Sequence, residues 1–225
     1  MTDAIDSAAK SRPSKTKERQ FKGLSMAERQ QARREKLIEA GIEAYGSYGF
    51  FSVTVKDICN EAKLTERYFY ESFKKSEHLF QTIFLKLIDE LQQNVMQAMM
   101  QASTDPKKMI EAGLTALLTT LRDNPRMARI IYIDAMLVQE LHNQATIHET
   151  MSRFDRMIHA FVMLMMPQLN RSEQEISLVS TGLNGYVTQI AIRWVMSGFK
   201  QSLEEVLSSC SVVFLALLES FSKEK

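Results

Sequence analysis

Residues 54–79 have the sequence TVKDICNEAKLTERYFYESFKKSEHL, which predicts two short helices joined by a tight turn and followed by the start of a third. The hydroxyl of Thr54 can cap the first helix, and Asp57 three residues later completes a capping box. A turn follows at Lys63-Leu64, and Thr65 is a second capping residue. Two short helices in this order are typical of a helix-turn-helix domain, which presents its second helix to the major groove of DNA.

The second helix is predicted to have one apolar and one polar side. Phe69 and Phe73 lie four residues apart and indicate the buried side. The outward side carries groups that can meet base edges at the helix N-terminus and phosphates at its flanks. We predict base-edge contacts by Thr65, Arg67 and Tyr68, and phosphate contacts by Thr54, Tyr70, Lys74 and Lys75. The predicted DNA-binding set also includes Lys56 and Glu66, whose carboxylate can accept a hydrogen bond from a cytosine amino group.

This segment, with the preceding stretch AYGSYGFFSVT, resembles the N-terminal DNA-binding domain of the TetR family of bacterial transcriptional regulators. The resemblance covers about a fifth of the chain. It rests on spacing, caps and aromatic residues that agree along the segment: Gly49, Phe50, Thr54, Val55, Ile58, Ala62, Tyr70 and Phe73. It implies an all-α protein with an N-terminal three-helix DNA-binding domain containing a helix-turn-helix, followed by a helical ligand-binding and dimerisation domain.

Three features depart from the family pattern. Lys63 stands where the family usually has a glycine in the turn, so its side chain is expected to cost on the order of 1 kcal/mol at a position of positive φ. Ser76 stands where the family usually has a lysine that touches phosphate, and we expect one of the two preceding lysines to make that contact. Glu66 and Glu71 bring negative charge to a helix that faces DNA, and we expect Glu71 to lie away from the groove.

The composition is that of a folded, mostly helical protein. Apolar residues make up 45% of the 225-residue chain, which has only 8 Gly and 4 Pro, and no β-type alternation is visible. A chain of this length can bury a sizeable core. Cys59 and Cys210 are expected to be reduced core residues. Because no apolar run approaches the roughly 18 residues that span a bilayer, we expect a soluble, cytoplasmic protein with no membrane partner.

Positive charge is concentrated near the N-terminus. The net charge of the chain is only +1, but residues 10–36 contain ten Lys or Arg against three Glu, a local charge of +7. Residues 1–26 lack periodic apolar positions and are predicted to be a disordered basic arm. Such an arm can lie along phosphates or in a minor groove, although a solubilising tail explains the same composition. The predicted boundaries are the arm over 1–26, the DNA-binding domain over 27–75, and the ligand-binding and dimerisation domain over 76–225.

Periodic apolar positions predict helices along the rest of the chain. The first helix of the DNA-binding domain spans about 27–48, and a long helix over about 76–100 connects this domain to the remainder. Further helices are predicted over 106–122, 126–139, 144–166, 172–197 and 202–223. The resemblance to the TetR family implies that the last two helices pair with their copies in a homodimer.

The second domain is rich in soft apolar side chains that suit a small hydrophobic ligand, although an ordinary core explains most of them. The candidate ligand-binding residues are Tyr132, Met136, Phe161, Met165, Asn184, Gln189 and Arg193. The pair Asn184-Gly185 stands out because glycine inside a helix costs about 1 kcal/mol relative to alanine and indicates close packing or a gap. A helix–helix contact explains this pair at least as well as a ligand cavity does.

Patterns of catalysis were not found in the sequence. The 4 histidines do not have the spacing of metal ligands. The segment Gly46-Ser47-Tyr48-Gly49 lacks the length and the Lys-Ser/Thr ending of a phosphate-binding loop. The sequence therefore predicts no catalytic residues, no metal site and no cofactor.

The residues and the resemblance together predict a homodimeric DNA-binding regulator, in most cases a repressor, that leaves a near-palindromic operator when a small hydrophobic ligand binds. A helical adaptor that binds another protein would have similar amphipathic helices but no salt-dependent affinity for DNA. An activator or a ligand-independent regulator of the same family is also compatible with the sequence. An enzyme built in the helical bundle would need a cofactor or polar cluster, and none was found.

Overall fold

The computed structural model describes residues 25–102, 104–138, 146–166 and 169–223. All the regular structure in these residues is helical, which confirms the predicted all-α fold class. The helices are α1 (Met26–Tyr48), α2 (Val55–Glu61), α3 (Glu66–Ser72), α4 (Ser76–Ala102), α5 (Pro106–Asp123), α6 (Pro125–Arg129), α7 (Ala135–Leu137), α8 (Thr146–Met165), α9 (Glu173–Met196) and α10 (Leu203–Ser222). A 3-10 turn, Phe50–Ser52, joins α1 to α2, and a π-helical turn, Ile130–Asp134, joins α6 to α7.

Local capping chemistry sets the starts of four helices. Capping boxes begin α1, α2, α9 and α10, with Ser25, Thr54, Ser172 and Ser202 as the capping residues. Because Ser25 caps α1, this helix begins at Met26, one residue before the predicted start. The predicted arm up to residue 24, and the predicted helical residues 139, 144 and 145, lie outside the described part of the chain.

An aromatic cluster holds the N-terminal helices together. The rings of Tyr45, Phe50 and Phe80 lie within 5.0 to 5.5 Å of one another, measured between centroids. Phe69 and Phe73, on the side of α3 that was predicted to be inward, are fully buried. Since Phe80 belongs to α4, the long helix shares an aromatic core with α1 and with the turn that leads into the helix-turn-helix.

The C-terminal helices form a bundle around α4 and α5. Helix α4 has 27 residues and is therefore about 40 Å long. Helix α5 packs along α4 and α10, and α8 packs along α9. Gly113 permits the close approach of α5 to α4, because a Cβ there would be only 2.8 Å from Cγ of Met99. Cys59 and Cys210 are both buried and free, as predicted.

Helix α10 corrects the expectation about apolar runs. Among the residues that the structure describes, it is the one helix that is long and apolar enough to cross a membrane, with a mean hydropathy of 1.5 over its best window. Glu219 interrupts the continuous apolar run in the sequence, whereas the mean hydropathy over the helix tolerates such an interruption. A single helix of this kind does not indicate a membrane protein, because core and interface helices of soluble proteins have the same composition.

Candidate nucleic-acid interface and ligand cavities

Helix α3 presents polar side chains to solvent. Glu66, Arg67 and Tyr70 are exposed, and Tyr68 is half-buried. The side chain of Arg67 is 84% exposed, and its Nε is 3.0 Å from Oε1 of Glu71. An exposed ion pair of this kind contributes little free energy. Arg67 can therefore exchange Glu71 for a base or a phosphate.

Two arginines of α1 lie against aromatic rings of α3. The guanidinium of Arg33 lies over the ring of Tyr68, with its central carbon 4.4 Å from the ring centroid. The guanidinium of Arg34 lies over Phe73 at 4.9 Å. Such cation–π contacts orient the arginines and place positive charge beside α3. In the sequence both residues are visible only as part of the basic N-terminal region, because the contact depends on how α1 crosses α3.

The cap of α2 is formed as predicted, whereas that of α3 is only partly formed. Thr54 accepts a hydrogen bond from the backbone N–H of Asp57 and donates one from Oγ1 to Oδ2 of Asp57 at 2.6 Å. The hydrogen bond from the Thr54 hydroxyl, together with one from the Thr54 backbone N–H to Oδ2, holds the pKa of Asp57 below its usual value. Thr65 occupies the capping position of α3, but its side chain makes no capping hydrogen bond. Its hydroxyl is therefore not committed to the helix end.

The turn between α2 and α3 contains Lys63, which stands where the TetR family usually has a glycine. Lys63 adopts a φ of 54°, in the left-handed region where a side chain is disfavoured. The turn is closed by a hydrogen bond of 2.9 Å from the N–H of Leu64 to the carbonyl of Cys59. The expectation of positive φ at Lys63 is confirmed.

The predicted DNA-binding residues share one property, which is access to solvent. Tyr68 is half-buried. The other predicted residues are exposed: Thr54, Lys56, Thr65, Glu66, Arg67, Tyr70, Lys74 and Lys75. Contact of each residue with DNA stays a prediction.

Two adjoining cavities lie inside the C-terminal bundle. Cavity one is enclosed by α4, α5, α8, α9 and α10, which contribute, among others, Val95, Leu114, Phe161, Leu183 and Leu217. The space open to the centre of a water-sized sphere is about 90 Å³, several times the roughly 10–15 Å³ that one water needs. Of the described residues that line it, only Asn184 has a hydrogen-bonding side chain. An apolar cavity of this size suits an apolar ligand.

Cavity two lies beside the π-helical turn. Its volume on the same measure is about 80 Å³, and Leu117, Phe154, Asn184 and Val187 line both cavities. It is more polar than cavity one, because four of its described lining residues carry hydrogen-bonding groups: Tyr132, Thr150, Asn184 and Thr188. Burial raises the pKa of Tyr132 above its ordinary value. The phenol is therefore neutral and can act as a hydrogen-bond donor.

The structure brings most of the predicted ligand-binding residues to these cavities. Tyr132 and Met136 line cavity two, Phe161 and Met165 line cavity one, and Asn184 lines both. Gln189 and Arg193 are exposed on α9 and line neither cavity. Gly185 is also at an open surface, because a Cβ added there would meet no atom within 4 Å. Its place in the helix therefore reflects neither the cavities nor a contact within the described chain.

Solved structures of transcriptional regulators share this arrangement of helices, whereas neither a family model nor a curated protein matches the sequence. The fatty acid degradation regulator FadR of Bacillus halodurans has a TM-score of 0.69 at 15% identity, covering 80% of this chain and 93% of its own. FadR of Bacillus subtilis, solved in complex with stearoyl-CoA, has a TM-score of 0.66 at 15% identity. That match covers 80% of this chain and 96% of the FadR chain. A TetR-like transcriptional regulator from Rhodococcus sp. RHA1 has a TM-score of 0.61 at 14% identity, and the match covers 86% of this chain and 98% of that chain. The chain has the fold of TetR-family regulators.

Within this TetR fold, two arginines of α6 join α1 to the bundle. Arg126 makes an ion pair of 2.6 Å with Glu43 and donates to Oγ of Ser47 at 3.0 Å. Gly46 of α1 lies so close to Arg126 that a Cβ would clash with its side chain. The glycine in the sequence was a signal for this contact, but the sequence does not show which element would approach it.

The second arginine reaches further along the same interface. Arg129 donates to the carbonyl oxygen of Ser47 at 3.4 Å and lies against Gly49, where a Cβ would clash with the guanidinium. Its Nε is 3.6 Å from Oδ2 of the buried Asp134, the last residue of the π-helical turn. This turn also supplies Ile131 to cavity two. The end of α1 and the wall of cavity two are therefore joined through one arginine.

Proposed function

We propose that this protein is a sequence-specific DNA-binding transcriptional regulator that acts as a homodimer. The observation that carries the proposal is the geometry of α3, whose apolar side is anchored by buried Phe69 while its polar side, with Arg67, faces solvent. This is the arrangement by which a helix-turn-helix places its second helix in the major groove. The likeness to solved transcriptional regulators supports the proposal at the level of the fold.

The surfaces of α9 and α10 support a homodimer. Leu178 and Met196 of α9 and Val212 of α10 are large, apolar and exposed. Gly182 and Gly185 leave open space on α9, because a Cβ at either position would meet nothing within 4 Å. Exposed apolar patches of this kind are typical of interaction surfaces, and small residues allow another helix to approach closely. We assign the last two helices to pairing with a second copy.

The cavities support control by a small hydrophobic ligand. The apolar lining of cavity one and the polar groups of cavity two suit a molecule with an apolar body, and a protein of the same fold is solved with stearoyl-CoA. Ligand entry beside the π-helical turn would move Asp134 and Arg129, and with them the end of α1. We therefore propose a repressor, located in the cytoplasm, that leaves its operator when the ligand shifts the spacing of the two α3 helices.

Selection of bound fragments from genomic DNA tests the proposal. A homodimer of this kind should enrich fragments that share a near-palindromic site, with half-sites whose centres are about 34–36 Å apart. Addition of ligand should release those fragments. Recovery of fragments without any common site would contradict sequence-specific binding, and a helical adaptor would give that result.

A further inference from the structure

One face of α8 lines both cavities in sequence order. Thr150 lines cavity two, Phe154 lines both cavities, and Phe161 and Met165 line cavity one. At about 1.5 Å per residue, this face extends about 22 Å from Thr150 to Met165. The two cavities thus adjoin along α8, and Phe154 belongs to the wall of both.

The hydroxyl of Thr150 has no partner within the described chain. Thr150 is only 3% exposed, and its Oγ1 is buried without a hydrogen bond. A buried hydroxyl normally has a partner, because leaving it unpaired is costly. Since Thr150 lines cavity two, its hydroxyl belongs to the wall of the space that a ligand would occupy.

Two of the other polar groups of cavity two, Asn184 and Thr188, already interact with each other. Nδ2 of Asn184 donates to Oδ1 of Asp155 at 2.7 Å, and Thr188 donates to Oδ1 of Asn184 at 3.5 Å. The hydroxyl of Thr150 is therefore left without a hydrogen-bond partner in the described chain, in the same cavity as the neutral phenol of Tyr132. As a hydroxyl it can donate to an oxygen of a ligand.

The charges around the site disfavour an anionic ligand. No Lys, Arg or His occurs among the described residues that line either cavity. The carboxylate of Asp155 lies directly behind Asn184, to which it is hydrogen-bonded. A carboxylate or phosphate would therefore be buried without a cation from the described lining residues and near a negative charge, which is strongly unfavourable.

We infer that the ligand is an elongated, electrically neutral molecule whose apolar chain fills cavity one and whose end group in cavity two is an uncharged acceptor oxygen, such as the carbonyl of an ester, that accepts a hydrogen bond from Thr150. This inference rests on the proposed ligand-controlled function and assigns the chemistry and the direction of the ligand. The anionic headgroup of a coenzyme A thioester does not meet these requirements within the described cavities.

Binding of methyl decanoate and of decanoate at pH 8 tests the inference, with each compound displacing a fluorescent apolar dye from the full-length protein. The ester should bind at least ten times more tightly than the ionised acid. Thr150→Val removes the hydroxyl with little change of shape and should weaken ester binding about two- to tenfold, without lowering the melting temperature. Thr150→Ser retains the hydroxyl and should restore most of the ester affinity.

Several results would overturn the inference. These are unchanged ester affinity in Thr150→Val, binding of decanoate as tight as that of the ester, or no ester binding up to its solubility. Binding of the selected genomic fragments is measured in parallel on the same protein. If the ester preference appears without DNA binding, the proposed function fails and the ligand assignment stands. If DNA binding appears without ester binding, the ligand assignment fails alone.

Discussion

The Nε atom of Arg129 lies 3.6 Å from Oδ2 of Asp134, and both atoms are buried without another hydrogen-bond partner in the described chain. Burial raises the pKa of Asp134, whereas the charge of Arg129 and the backbone N–H of Phe50 lower it. Phe50 begins the turn that leads from α1 to α2, and Arg129 also contacts Ser47. Asp134 therefore contacts both the arginine and the entry to the helix-turn-helix.

We expect Asp134→Asn to uncouple ligand binding from DNA release. The substitution removes the charge beside Arg129 and should lower the free energy of unfolding by about 1–3 kcal/mol. Ligand affinity should stay close to that of the unchanged protein, whereas the effect of ligand on DNA affinity should shrink. Unfolding in urea measures the change in stability, and fluorescence anisotropy on DNA with and without ligand measures the change in coupling.

Asp123→Asn is the matched control, because its pair with Arg122 is exposed and should contribute less than about 0.5 kcal/mol. Equal small losses in the two variants would contradict the assigned role of Asp134.

This interface could not be derived from the sequence. The contact between Arg129 and Ser47 joins residues 82 positions apart. It also depends on a π-helical turn where the periodic pattern predicted one continuous helix over 126–139. The turn adds a residue to one helical turn and so changes which side chains face α1. Periodicity alone does not show such an insertion.

The turn between α2 and α3 offers a test of backbone strain. Lys63→Gly should raise the free energy of unfolding by up to about 1 kcal/mol, because glycine adopts a φ of 54° without a steric penalty. Lys56→Gly is the control, since Lys56 lies inside α2 and glycine there should be destabilising by a similar amount. Unfolding of both variants in urea measures whether each substitution raises or lowers the free energy of unfolding. A loss of stability in Lys63→Gly would show that the lysine side chain makes contacts that outweigh the strain.

The capping box of α2 should make stability depend on pH in acid. Thr54 lowers the pKa of Asp57 from its ordinary value, so in acid the native state binds fewer protons than the unfolded state. The stabilisation is present above the unfolded pKa and is lost as pH falls through the lowered value. Asp57→Asn should therefore be less stable than the unchanged protein at pH 7, and the difference should shrink as the solution is acidified towards pH 3. A difference that does not change with pH would contradict this account.

A second capping carboxylate, Glu205, provides a control that distinguishes an effect on stability from an effect on DNA binding. Glu205 caps α10 with Ser202, and its pKa is lowered in the same way. Glu205→Gln should show the same loss of acid dependence but leave DNA affinity unchanged. Asp57→Asn should weaken DNA binding several-fold, because Asp57 holds Thr54, a predicted phosphate contact. Equal DNA affinities in the two variants would remove Thr54 from the predicted interface.

The capped helices show what the sequence does carry. The caps of α1, α2, α9 and α10 involve residues three positions apart, so their chemistry is readable from the sequence. The buried and exposed sides of α3 follow from helical periodicity in the same way. The cavities are different, because Thr150 and Phe154 become a site only when five helices pack around them. Gln189 and Arg193 were chosen by polarity alone, and they face solvent.

The homodimer proposal is tested by two exposed leucines of equal accessibility. Leu178 of α9 is 73% exposed and Leu164 of α8 is 71% exposed. Leu178→Glu should shift the protein from dimer to monomer in sedimentation. It should also reduce operator affinity at least tenfold, because a single DNA-binding domain then binds alone. Leu164→Glu should leave both unchanged. Dissociation in both variants, or in neither, would contradict pairing through α9.

The most direct test of the account is fluorescence anisotropy on DNA from immediately upstream of the gene and on the selected fragments, beside random DNA of equal length, at several salt concentrations. We expect tighter binding to at least one of the specific DNAs, falling steeply with salt. Arg67→Ala should lose about 1–3 kcal/mol on the specific DNA and much less on random DNA, whereas Tyr70→Phe should weaken binding to both alike. Equal, weak binding of the unchanged protein to every DNA at every salt concentration would contradict the account.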